Sequence, residues 1–186
     1  IGAGQLTDAL PLLDEGTALA TRLGDAPHHG TFLLNRGLVA KRLGDFGSAS
    51  TRFSEVETMC QSLDSATLKL SLLTAHAGLR FAIGDTDGAM AFGCSALASA
   101  AIANDQPSRL NALILLTRMS SEDRYVEDGL ALANGLGLHR EKRLLRAWRL
   151  DCLLTSGAPA DDCAQQVLSD IGAFSDDLER ATILCD

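Results

Sequence analysis

Few residues in this chain stand where they could do chemistry. His28 and His29 are adjacent, and neighbouring side chains at a helix start diverge instead of chelating one metal ion. His76 and His139 have no HxxxH partner and no cysteine at ligand spacing. Ile1-Gly2-Ala3-Gly4 has the glycines of a phosphate loop but neither a preceding strand nor the Lys-Ser/Thr that would hold phosphate and magnesium. No serine or aspartate lies in a nucleophile elbow or beside a histidine. The expectation is therefore no enzyme, no cofactor and no metal. Cys60, Cys94, Cys152, Cys163 and Cys185 form no CxxC pair. A Cys152–Cys163 disulfide across a hairpin turn is open, but buried free thiols in a reducing cytosol are the commoner case in such helices. One cationic group remains: Lys41 and Arg42, with Arg80 nearby in register, can hold a carboxylate or a phosphate. The same charges also suit helix C-termini, where they complement the dipole.

The elements that would position these residues are read from composition and periodicity. The chain has 186 residues, with 24 Asp plus Glu against 16 Lys plus Arg, a net charge of −8 and a pI near 4.9. A phosphate backbone would be repelled on average, and an aromatic content of 4% leaves few stacking platforms for bases. Direct nucleic-acid binding is not expected. The longest uncharged run, Gly88 to Asn104, is rich in Ala, Ser and Gly and falls short of a bilayer span. With no charged-then-apolar leader, the expectation is a cytoplasmic protein without a membrane.

A beat organises the rest. Gly4, Gly44 and Gly84 fall at one spacing, as do Ala9, Ala49 and Ala89, and Asp45 and Asp85 follow the later two glycines. A glycine that ends a helix, a tight turn and a second helix with a small alanine make a helical hairpin. The apolar periodicity predicts helices over 5–23, 28–43, 46–62, 65–83, 86–104, 108–119, from Ser120 or Ser121 as N-cap to Leu136, 139–156, 160–172 and 175–186. Gly157 comes 73 residues after Gly84 instead of 80, so one unit has shed about seven residues. Gly37 inside a helix costs about 1 kcal/mol against Ala, which predicts a neighbour pressing on its backbone. Five cations (Arg140, Lys142, Arg143, Arg146, Arg149) mark the helix over 139–156.

The helix over 86–104 is uncharged between Asp87 and Asp105, with Phe92 and Ser95 where Arg52 and Glu55 stand one unit earlier. Two readings stay open for it: burial by both neighbours, or an oligomer or partner contact through Ala91, Phe92, Cys94 and Ala98.

Gly37, Gly44, Phe46, Ala49 and Phe53 match five positions of the tetratricopeptide repeat, which this chain resembles; the next unit keeps only Gly84 and Ala89. The family's unit is 34 residues and this one is about 40. The longer unit and its LGD turns are similar to arrays in large bacterial LuxR-type and SARP-type transcriptional regulators related to the maltose regulator MalT. The resemblance implies an all-α, right-handed α-solenoid of antiparallel hairpins, a single domain over 1–186, read as a piece of a longer protein. It also implies that first helices line a groove. By register that groove takes Thr31, Leu34, Asn35, Leu38, Lys41 and Arg42, then Ser71, Thr74, Gly78, Arg80 and Phe81, then Ala147, Asp151 and Thr155. The carboxylate clamp of chaperone-binding members is not carried over, since Leu34, Leu38, Thr74 and Gly78 stand at its places. The implied function is a protein- or ligand-binding scaffold, the sensing or oligomerisation module of a regulator; a stand-alone adaptor is the alternative. Its partners would be a protein or peptide, a small-molecule effector, or a second copy in a homodimer.

Overall fold

The computed structural model describes residues 3–120 and 122–172. The helix expected over 175–186, with Cys185, lies outside them, as do Ile1, Gly2 and Ser121. All regular structure among the described residues is helical: α1 (Ala3–Leu23), α2 (Ala26–Arg42), α3 (Phe46–Ser62), α4 (Ala66–Ala82), α5 (Thr86–Ile102), α6 (Gln106–Met119), α7 (Asp123–Gly135), α8 (His139–Ser156) and α9 (Asp161–Gly172). The chain divides into two compact units, Ile1–Ser108 and Arg109–Asp186.

The turns explain why the helices stop where they do. Gly44 has φ +81° and Gly84 φ +84°, a conformation that costs an ordinary L-residue roughly 1–2 kcal/mol. There the Asp45 N–H donates to the Ala40 carbonyl at 2.9 Å and the Asp85 N–H to that of Arg80 at 2.9 Å, closing the helix end. The next helix then starts at once: Asp45 accepts from the Ser48 N–H at 3.0 Å and Asp85 from the Gly88 N–H at 2.9 Å. Gly24, Gly137 and Gly157 repeat the positive φ, and Asn104 does so at φ +53°.

Three expectations are corrected. Gly4, placed on the beat as a turn residue, falls inside α1. The helices expected from 28 and 108 begin at Ala26 and Gln106, because Asp25 and Asp105 cap the runs that carry Pro27 and Pro107. Proline fits a first turn, where its missing N–H would be unpaired anyway. The cap of α7 is Glu122; Ser120 only accepts the Glu122 N–H through its hydroxyl, at 3.1 Å.

In the first unit α2 pairs with α1 and α3, α4 with α3 and α5, and α2 also meets α4. Its core joins Leu33 and Leu34 of α2, Ala49, Phe53 and Val56 of α3, and Leu68, Leu72, Ala75 and Leu79 of α4. Of the small residues of the beat, Ala49 and Ala89 are fully buried and Ala9 is half-buried. A Cβ on Gly37 would lie 2.4 Å from the Phe53 ring, so the glycine makes the slot that the ring fills. In the second unit Leu110, Ala133 and Leu145 form the centre, from α6, α7 and α8. The Arg118 guanidinium lies 4.6 Å from the Trp148 ring centroid, and the Arg149 guanidinium pairs with Asp123.

Candidate binding face

The expected groove residues separate into core, surface and partnered groups. Leu34 is 4% exposed and belongs to the core, where it offers nothing to a ligand. Asn35, Arg42 and Ser71 are exposed, while Leu38, Lys41, Thr74 and Phe81 are half-buried. The hydroxyls of Thr31 and Thr74 turn back onto the carbonyls of Pro27 and Leu70, at 3.0 and 3.1 Å. Half-buried Ala147 and exposed Asp151 and Thr155 lie in the second unit, and the Thr155 hydroxyl donates to the Asp151 carbonyl at 2.8 Å.

Of the three cations, Lys41 crosses from α2 to α4. A Cβ on Gly78 would stand 2.6 Å from its Nζ, so the bare glycine backbone is what lets the ammonium rest there. Arg80 goes elsewhere, pairing with Asp85 of its own turn at 3.2 Å. Arg42 is exposed at the end of α2. A cation is thus seated across the line where α2 meets α4, on helices that also carry half-buried Leu38, Thr74 and Phe81.

On α5, Ala91, Cys94 and Ala98 are exposed, but Phe92 is turned inward. Its ring stacks on His76, centroids 5.0 Å apart at 17°, and that imidazole also meets the Phe53 ring in a T-shaped contact at 5.5 Å and 68°. His76 Nε2 is buried without a hydrogen-bond partner. Burial holds its pKa below the usual histidine value; Glu57 pulls it up and Arg80 pushes it further down. Burial likewise raises the Cys60, Cys152 and Cys163 thiols, which keeps them protonated and unreactive at neutral pH. All four described cysteines are free. Among the described residues no three His, Cys, Asp or Glu are grouped to hold a metal ion.

One feature escaped the sequence. A cavity of about 390 Å3 opens between the start of α4 and the end of α5, with Leu70, Leu73 and Ala103 on its apolar walls and Lys69, Ser99 and Asp105 among its polar ones. A signal for it did exist along the beat, where Met59 and Leu63 give way to Ser99 and Ala103.

These features define a helical-hairpin protein with a cation across two of its first helices and an open cleft between α4 and α5. The chain matches no protein-family model, and no curated protein matches it. Among the described residues no helix is long and apolar enough to cross a membrane.

Proposed function

We propose that the chain is a docking scaffold, a right-handed solenoid of tetratricopeptide-like hairpins with a unit of about 40 residues. On this reading it is the sensing or oligomerisation module of a cytoplasmic bacterial transcriptional regulator. The observation that carries the docking role is the seam of α2 and α4, where Lys41 rests over Gly78 and half-buried Leu38, Thr74 and Phe81 stand on the same two helices. Apolar patches beside a cation suit a peptide that carries an acidic residue next to an aliphatic one.

Photo-crosslinker residues at Asn35 and Ser71, both exposed, test this against a crosslinker at Ser50 on α3. Adducts from the first two, lost on Lys41→Glu, are the expected result. Equal labelling at Ser50, or adducts indifferent to Lys41→Glu, overturns the assignment.

The exposure of Ala91, Cys94 and Ala98 favours a second reading, a homodimer through α5. Ala98→Glu is the fitting probe, because Phe92 is occupied with His76 and its replacement would damage the fold. Light scattering should show a dimer that becomes a monomer in Ala98→Glu; a monomer before and after removes the idea.

A further inference from the structure

The cavity at the open end of the α4–α5 hairpin has a filled counterpart in the same protein. α2 and α4 begin at Ala26 and Ala66, α3 and α5 at Phe46 and Thr86, and all four have 17 residues. Residues offset by that interval stand at equivalent places. In the first hairpin the space is closed by the chain itself: Met59 and Leu63 pack onto the core, and Leu68 of α4 comes within 2.7 Å of where a Gly30 Cβ would be. In the second hairpin Ser99, Ala103 and Ser108 replace these three. A thioether and two isobutyl groups are gone; Leu70, standing in place of Gly30, fills only part of the room, and about 390 Å3 remains. That volume is within the range of small-molecule sites, which are mostly apolar with a few polar groups that fix orientation.

The charges in the lining select the ligand's head group. Asp105, also in the lining, is engaged, with its two oxygens accepting from the Ser108 N–H at 3.0 Å and the Ser108 hydroxyl at 2.7 Å. Lys69 is exposed at the rim and pairs with no carboxylate among the described residues. A cation is thus available above apolar walls, beside the first turn of α4. There the Leu68 N–H is taken by the Ser65 hydroxyl at 3.3 Å, whereas the N–H groups of Ala66 and Thr67 have no partner within the helix.

We propose that this cavity binds a small aliphatic carboxylate, its hydrocarbon body in the place that Met59 and Leu63 fill in the first hairpin and its carboxylate on Lys69. Hexanoate and L-norleucine carry this chemistry with and without the character of a simple fatty acid, and n-hexylamine carries the body with the opposite charge. This site is separate from the α2–α4 face, so either can fail without the other.

Calorimetric titration of the full chain at pH 7 with each probe, up to ~10 mM, decides the matter. Hexanoate, L-norleucine or both should bind, at least about tenfold more weakly to Lys69→Met and not at all to the double variant Ser99→Met/Ala103→Leu. That variant takes two filling residues from the first hairpin, with Leu70 and Ser108 kept, and should melt no lower than the parent, which separates a filled site from a broken fold; Ser99→Leu alone is the fallback. Binding by hexanoate only identifies an acyl ligand, and by norleucine only an amino acid. The proposal is overturned if neither carboxylate binds, if hexylamine binds as well as they do, or if the filled variant binds undiminished.

Discussion

The hairpins α2–α3 and α4–α5 have the same helix lengths and the same kind of turn, yet their interiors are built differently. In the first, Gly37 on one helix receives Phe53 from the other, and Arg52 stays at the surface against Glu55 at 2.9 Å. In the second, the corresponding residues are Ala77 and Gly93, so no ring crosses there, and Phe92 in the place of Arg52 folds inward onto His76. The open end is plugged by Met59 and Leu63 in one hairpin and left hollow in the other. The shared part is the turn and its caps, and the variable part is the filling. A hairpin's path is set by local hydrogen bonds and glycine conformations, which leave the interior free to diverge as long as it stays apolar and closely packed.

That contrast can be broken experimentally. The largest effect should come from Phe53→Ala, which empties a fully buried slot next to a glycine that cannot close it, at a cost of about 3–5 kcal/mol. Half-buried Phe92→Ala should cost less than half of that. Amide exchange across α2–α5 is the appropriate readout, since Trp148, the sole tryptophan, lies in the other unit. Equal losses would mean that the two interiors are not filled by different means.

Next come the turns, where the hairpins should agree. Gly44→Ala and Gly84→Ala meet no neighbour within 4 Å, so each should lose only the roughly 1–2 kcal/mol of left-handed strain. A large disparity in urea midpoints would show that one turn carries contacts the other lacks. Ser65→Ala removes the hydroxyl that caps α4 and should cost about 1 kcal/mol.

The smallest and most selective effect is that of pH. His76 has a folded pKa below its unfolded value of 6.5, so the unfolded chain takes up protons first on acidification. Its contribution is fully present above about pH 6.5 and is lost as pH falls through the folded value. Glu57 of α3 moderates the loss and Arg80 of α4 adds to it, while α5 has no charged residue between Asp87 and Asp105. Exchange in α4 should quicken between pH 7 and 5, and His76→Phe should flatten that dependence; an unchanged slope would assign the sensitivity to other groups. Asp45 and Asp105 act in the same direction at lower pH. Hydrogen bonds from Ser48 and Ser108 hold them below the usual carboxylate range, and their help fades as they protonate.

Helices, their order and most of their ends were legible because the relevant signals are local. Glycine followed by aspartate needs only its own neighbours to stop one helix and start the next. The helices expected over 28–43 and 108–119 start two residues late because proline interrupts a helix and also begins one, and only the cap geometry of Asp25 and Asp105 distinguishes the two. Less of the α2–α4 face was legible. Register placed Lys41 and Gly78 on facing helices, but no pattern in the chain said that the ammonium would lie on the glycine or that Arg80 would turn to Asp85. The hollow beside Lys69 was the least visible feature, since a cavity is defined by atoms that neighbouring helices fail to supply.

By itself the amino-acid order determined where the backbone turns, because φ preference, capping and apolar periodicity act over a few residues. Which side chains fill a gap, which charge finds a partner and where space is left were decided only when α2, α3, α4 and α5 came together. Those outcomes depend on distances between residues far apart in the chain, and packing, unlike capping, has no local rule.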